Sequence, residues 1–215
     1  MSINNASRLR PLLSFDKDDF YFLQIIKRRK DNPDMELGSF VLKNYYINSI
    51  EEYDKLVPII QKVCDFENAR AYLRLNKRNY KNIGLKLMSR ALVYISSNNY
   101  PPLRNVFDAV AGECPSDPIR KWVVDVDSDK IEEEIFFKTD SEGRIIMVYG
   151  ESEIGKLYTF LHGLQLLTKN EPMLETIPTK NGLHIITRPF NMATFKEEYP
   201  QFDVHRDATT LLFCP

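Results

Sequence analysis

The chain has 215 residues, 43% of them hydrophobic, and its 29 Lys and Arg against 30 Asp and Glu give a formal net charge of -1. This composition is sufficient for a folded core and excludes a largely disordered chain, while the balanced charge excludes a global positive field that recruits nucleic acid. Three widely spaced cysteines without a CxxC pair predict a reduced, cytoplasmic protein without structural zinc. We expect neither a membrane span nor an export signal, because no apolar run approaches about 20 residues and the N-terminus is polar.

The first half of the chain predicts a small α/β lobe over residues 1–112. Ser49 followed by Glu52 is typical of a helix start, because the hydroxyl can accept a hydrogen bond from the backbone three residues on. In chain order, we expect strands at 20–26 and 38–47 paired as a hairpin, a helix from Ser49 to about Cys64, a strand at 69–75, a helix at 80–97 and a short helix at 103–111.

Basic side chains are concentrated in this half. Arg70, Tyr72 and Arg74 alternate along the predicted strand at 69–75, so they share one face, where they could grip phosphates and stack a base or sugar. A solvated protein surface explains such residues equally well. The concentrated basic positions are Arg70, Arg74, Lys77, Arg78, Lys81, Lys86 and Arg90.

The second half, residues 121–215, predicts a lobe of a different kind, separated from the first by a loop containing Gly, Pro, Ser and Asp. Its order of strand, helix, strand, strand, helix, strand is that of the ferredoxin-like or RRM fold, and we treat 129–150 as an insertion with a hairpin of its own. The predicted elements are a strand at 121–126, a helix at 154–167, strands at 173–177 and 183–188, a helix from Asn191 or Thr194 to Tyr199, and a final strand at 202–204 or 209–213.

Two carboxylates end the first strand of this lobe. Asp125 and Asp127 lie two residues apart and therefore share one face of a strand, a common way to hold a hard divalent cation such as Mg²⁺ or Mn²⁺. In this fold the first and third strands are neighbours, so we expect His184 to lie near the two aspartates. For a third acid we prefer Asp203, with Asp207 as the alternative. An Asp-x-Asp pair at a strand end also arises by chance.

These motifs resemble those of the archaeo-eukaryotic primase superfamily, the primase-polymerase group common in plasmids and phages. Val124-Asp125-Val126-Asp127 matches the family's apolar-Asp-apolar-Asp motif. The segment Thr179-Lys180-Asn181-Gly182-Leu183-His184 is similar to its Ser-Gly-x-Gly-x-His motif, with Thr in the Ser place and Lys in the first Gly place. Phe202-Asp203 matches the short apolar-Asp motif that follows.

The resemblance implies an α+β protein with an RRM/ferredoxin-like catalytic lobe preceded by the smaller α/β lobe, and a primase or polymerase activity that joins nucleoside triphosphates on a single-stranded DNA template. It implies that Asp125, Asp127 and Asp203 bind Mg²⁺ or Mn²⁺. It further implies a separate helicase or second subunit as a partner. The nucleotide-binding residues that it implies are Thr179, Lys180, Gly182, His184, Arg70 and Arg74.

Two other functions are compatible with the same residues. A catalytically silent RRM-like module could bind single-stranded nucleic acid with Arg70, Tyr72 and Arg74, and its binding would be salt-sensitive and would need neither metal nor the aspartates. A phosphoesterase could use His184 together with Thr187 at the same metal site, and it would release phosphate without chain growth.

Overall fold

The computed structural model describes residues 2–36, 38–113, 115–116, 120–127, 155–157, 159–161 and 175–215, together with the backbone of 137–139 and 145–147. The chain divides into two units, one of Met1–Arg120 with Asp207–Pro215, and one of Lys121–Arg206. Both units combine antiparallel strands with helices, so the expected α+β class is confirmed.

The strands and helices are numbered along the whole chain. The strands are β1 (Ile3–Asn4), β2 (Asp19–Lys27), β3 (Phe40–Ile47), β4 (Arg70–Arg74), β5 (Arg78–Asn79), β6 (Trp122–Asp127), β7 (Phe137–Thr139), β8 (Ile145–Met147), β9 (Glu175–Thr179), β10 (Gly182–Thr187), β11 (Asp203–His205) and β12 (Thr209–Cys214). The helices are α1 (Ala6–Leu9), α2 (Ile50–Glu67), α3 (Tyr80–Ser96), α4 (Val106–Glu113) and α5 (Met192–Glu198), with 3-10 turns at Arg10–Leu12, Arg29–Asp31 and Pro101–Asn105. In the part of the chain that the structure describes, none of the helices has both the length and the apolar character needed to cross a bilayer.

The first unit is built on one antiparallel sheet with the strand order β1-β12-β4-β2-β3, and β5 also pairs with β2. The predicted hairpin is confirmed, because β2 and β3 pair antiparallel along most of their length. The predicted helix start is also confirmed: the Ser49 hydroxyl accepts a hydrogen bond from the Glu52 backbone N–H at 3.1 Å. Helix α2 ends at Asn68, whose φ of 48° is the left-handed conformation that commonly stops a helix.

The predicted boundaries of the second lobe, 121–215, are wrong at the C-terminal end. Strand β12 pairs with β4 and β1 inside the first sheet, so the last nine residues belong to the first unit. The physical reason is that Thr210 to Cys214 form a continuous buried run, which suits the interior of the larger sheet. The final strand of the second unit is β11, the other candidate from the sequence. The first unit extends to residue 120, past the predicted 112.

The expectation of an exposed basic face around β4 is also wrong. Arg70 is buried and forms an ion pair with Asp31 at 2.6 Å, and the Arg74 guanidinium donates to the Asp207 carbonyl at 2.9 Å. Lys77 is buried between the carboxylates of Asp16 and Asp19. These cations form ion pairs inside the unit. Each one neutralises a carboxylate that folding has removed from water.

Among the described residues, Arg78 is the largest fully buried side chain of the first unit. Its guanidinium pairs with the Asp207 carboxylate at 2.7 Å and donates to the Ala111 carbonyl at 2.8 Å. Asp207 also accepts a hydrogen bond from Asn76 at 3.1 Å. The acid that begins the C-terminal segment therefore neutralises a cation in the interior of the first unit.

The second unit contains a four-stranded antiparallel sheet with the order β11-β6-β10-β9. Residues 155–157 and 159–161 are helical, as expected, and the rest of the predicted helix at 154–167 lies outside the described residues. Strands β7 and β8 pair antiparallel, which confirms the hairpin expected in the 129–150 insertion. The core of this unit contains Val124, Val126, Leu157, Leu161, Leu183, Ile185, Phe195 and Phe202.

Replacing Asp207 with Ala is expected to lower the free energy of unfolding by about 3 kcal/mol, because the buried Arg78 charge loses its carboxylate. Urea unfolding followed by circular dichroism measures this change. The matched control is Asp203→Ala, which removes a carboxylate with a side chain 60% exposed and should change stability by less than about 0.5 kcal/mol. Equal stability of the two variants would contradict a structural role for the Arg78 and Asp207 pair.

Candidate active site

Three titratable side chains form one row across the second sheet. In the antiparallel register, Asp125 of β6 lies opposite His184 of β10 on one side and opposite Asp203 of β11 on the other. Directly opposite residues of neighbouring strands project from the same face of a sheet. The register therefore places a histidine and a second carboxylate on either side of Asp125.

The central contact of the row joins His184 and Asp125. The His184 Nε2 atom lies 3.5 Å from Asp125 Oδ1, and the two side chains are 15% and 32% exposed. This separation is longer than a strong hydrogen bond, so the contact is mainly electrostatic. A half-buried carboxylate with this access to solvent can still bind a cation.

The apolar residues between the acids hold the row in place. Val124 and Val126 are fully buried in the core of the unit, on the face of β6 opposite to Asp125 and Asp127. A shift of β6 by one residue would expose both valines and bury both acids, so the hydrophobic core fixes which face carries the carboxylates.

Gly182 stands opposite Asp127 in the pairing of β10 with β6. A Cβ atom at this position would overlap the Val126 carbonyl oxygen and lie 3.0 Å from the Asp127 Cα. Only glycine allows the two backbones to approach this closely. The glycine of the predicted phosphate-contacting motif therefore has a structural role next to the second carboxylate.

The other residues of this motif form the turn before β10. Thr179 lies opposite Gly182 at the end of β9, and Lys180 and Asn181 make the two-residue connection. Lys180 is exposed. The predicted nucleotide-binding residues Thr179, Lys180 and Gly182 thus gather at the end of the sheet that carries Asp127.

Burial controls the protonation of His184. The pKa of His184 lies below the ordinary value of 6.5, first because the ring is buried and also because a charge on His205 opposes protonation. Asp125 and Asp127 act in the other direction and do not reverse the shift. The imidazole is therefore neutral at pH 7, with one ring nitrogen as donor and the other as acceptor.

The structure separates the two candidates for the third acid. Asp203 lies beside Asp125, whereas Asp207 belongs to the first unit and neutralises Arg78. Arg70 and Arg74, which were expected to contact nucleotide, are engaged by Asp31 and Asp207 within the first unit. The preference for Asp203 is consistent with this geometry, and the exposed face expected for the two arginines is not.

Thr187 cannot act together with His184. The two residues are three apart on one strand and so project from opposite faces, and Thr187 is fully buried opposite Trp122. The phosphoesterase that pairs His184 with Thr187 is therefore contradicted by the strand geometry.

Two further residues border the row. His205 lies two residues after Asp203 on β11 and therefore on the same face. The Lys196 ammonium of α5 lies 4.0 Å from the Asp203 carboxylate and donates to the Phe202 carbonyl at 2.7 Å. No sequence pattern indicated Lys196, because its position depends on how α5 packs.

The His, Cys, Asp and Glu side chains of the described ranges bear on metal binding. Within these ranges, no group of three or more of them has the geometry of a metal site.

Comparisons with protein-family models, with curated proteins and with solved structures give no significant match.

Replacing Gly182 with Ala is expected to destabilise the protein by about 2 kcal/mol, since the added methyl group has to push β10 away from β6. Thermal and urea unfolding measure the effect. The matched control is Gly84→Ala in α3, where a Cβ meets nothing within 4 Å and where Ala should be neutral or stabilising by up to about 1 kcal/mol. Equal effects at both positions would show that the approach of β10 to β6 is not constrained.

The lowered pKa of His184 predicts a pH dependence of stability in metal-free buffer. The unfolded chain binds a proton at higher pH than the folded protein does, so the contribution of neutral His184 is complete above pH 6.5 and is lost as the pH falls towards the folded pKa. Urea unfolding in EDTA at several pH values should show a steeper decline for the wild type than for His184→Gln. Parallel pH profiles for the two proteins would assign the dependence to other groups.

Proposed function

We propose that this protein is a metal-dependent nucleotidyltransferase of the primase or polymerase type, which joins nucleoside triphosphates on a single-stranded DNA template. The observation that carries the proposal is the row of Asp203, Asp125 and His184 across three neighbouring strands, with Asp127 and Gly182 paired beside it. The strand order β11-β6-β10-β9 supports it, because it corresponds to the order 4-1-3-2 of ferredoxin-like and RRM sheets.

The carboxylates fit the proposed metal in their chemistry. Asp125, Asp127 and Asp203 supply the hard oxygen ligands that Mg²⁺ and Mn²⁺ prefer, and the positions of all three are on one face of the sheet. Bound there, the metal would increase the nucleophilicity of the attacking hydroxyl and neutralise the leaving pyrophosphate. The partial exposure of Asp125 leaves this face accessible to a substrate.

The remaining residues orient the substrate in this proposal. Neutral His184 donates a hydrogen bond to a phosphate oxygen without adding a full charge next to Asp125. Exposed Lys180, in the turn at the Asp127 end, supplies the positive charge that attracts the triphosphate. Asp203 carries a nearby cation, Lys196, which limits the repulsion between the carboxylates when the site holds no metal.

The main alternative is a catalytically silent RRM-like module that binds single-stranded nucleic acid. Its expected binding face has lost both arginines, since Arg70 is buried against Asp31 and Arg74 is held by Asp207. Within the proposed enzyme, a helicase or a second subunit would open or deliver the template strand.

Primer synthesis and extension on single-stranded DNA, with labelled nucleotides and Mg²⁺ or Mn²⁺, tests the proposal. The wild type should form product, and Asp125→Asn and Asp127→Asn should each reduce it at least about 100-fold, because a metal ligand is lost. The control Glu197→Gln changes the charge by the same amount at an exposed position of α5 and should keep full activity.

Two results would contradict the proposal. Product formation by an Asp125→Asn, Asp127→Asn double variant would place the chemistry elsewhere. Salt-sensitive binding of the strand in EDTA, unchanged in the aspartate variants and without any product, would instead identify the silent binding module.

A further inference from the structure

Helix α3 has apolar residues on two opposite faces. On one face, Ile83 is fully buried and Leu87 and Tyr94 pack against the core of the first unit, next to Phe20 and Phe22. This face accounts for the position of the helix in the fold. The other face has no such role in the part of the first unit that the structure describes.

The second face carries a continuous line of large exposed side chains, which we name the Leu85 stripe: Leu85, Met88, Leu92 and Ile95. Each of the four is between 50% and 65% exposed. Their successive spacing of three, four and three residues is the a/d pattern with which one helix packs along another. A single exposed leucine is ordinary, but a line of four at this spacing indicates a contact surface.

The residues beside the stripe favour close approach of a second helix. Gly84, Ser89, Ala91 and Ser96 occupy the e and g positions of the same heptad pattern, and all four are small and uncharged. Because these flanking positions carry no charge, any preference for an acidic or a basic partner helix must come from charged residues farther from the stripe or at its end.

The charges of α3 indicate which kind of helix would bind to the Leu85 stripe. Its charged residues are Lys81, Lys86 and Arg90, with no acid anywhere in the helix. Arg90 is paired with Glu113 at 2.8 Å, while Lys81 and Lys86 are exposed, and Lys81 continues the stripe four residues before Leu85. A second copy packed in parallel would bring Lys81 and Lys86 beside their own counterparts, whereas the acidic side chains of a partner helix would be attracted to them.

We propose that the Leu85 stripe is the docking surface for an amphipathic helix of a partner protein, with apolar residues at a/d spacing and flanking Asp or Glu. The stripe buries the apolar side chains of the partner helix. Lys81 and Lys86 attract the acidic side chains that flank them. This inference does not depend on the proposed nucleotidyltransferase activity.

The test uses the full chain and a synthetic three-heptad peptide with Leu at a and d and Glu at the flanking positions, at concentrations where the peptide is monomeric. Fluorescence anisotropy should show binding by the wild type. The variant Leu85→Gln, Leu92→Gln should bind at least about tenfold more weakly, because two apolar contacts are lost. The control Phe66→Gln, which removes an apolar side chain 87% exposed on α2, should bind as the wild type does.

A charge exchange tests the choice of an acidic partner. The variant Lys81→Glu, Lys86→Glu should bind the Glu-flanked peptide more weakly and a Lys-flanked peptide of the same design more tightly than the wild type does. Circular dichroism of every variant establishes that the fold is retained.

Four outcomes would overturn the proposal. These are no binding of the peptide by the wild type, equal binding by the Leu85→Gln, Leu92→Gln variant, self-association of the chain that this variant abolishes, and adsorption to vesicles of anionic lipid that this variant abolishes. The third outcome would identify a second copy as the occupant, and the fourth a membrane surface.

Discussion

The candidate site depends on the antiparallel register of β6 with its two neighbours. Because Asp125 pairs with His184 on one side and with Asp203 on the other, three residues far apart in sequence meet in one row. The register is held from the opposite face by Val124 and Val126, which are fully buried. A slip by one residue would move the acids into the core, so the free energy of hydrophobic burial also fixes the position of the carboxylates.

Two acids four residues apart illustrate how position decides the role of a side chain. Asp203 is exposed and lies beside Asp125, on a face where charge can be used. Asp207 is largely buried and neutralises Arg78, whose guanidinium has no access to water. The carboxylate at 203 remains exposed beside Lys196, whereas the carboxylate at 207 offsets a buried charge.

Much of the site could be predicted from local patterns. The alternation Val124-Asp125-Val126-Asp127 showed that the two acids share a face, and the order of elements indicated that His184 would lie on the neighbouring strand. The basic residues of the first unit were harder to interpret, because a cation inside a core and a cation on a surface have the same local sequence. Arg70, Lys77 and Arg78 became structural only through carboxylates contributed by distant segments.

The sequence by itself determined the α+β class, the β2 and β3 hairpin, the helix start at Ser49 and the shared face of Asp125 and Asp127, since each of these follows from side-chain periodicity or from a cap within a few residues. Only the tertiary structure decided that β12 joins the first sheet, that Asp207 pairs with Arg78 and that Thr187 faces away from His184. Strand partners and buried ion pairs join residues that are up to 211 positions apart in the chain, as in the pairing of Ile3 with Cys214. No local pattern specifies which distant segment satisfies a given hydrogen bond or charge.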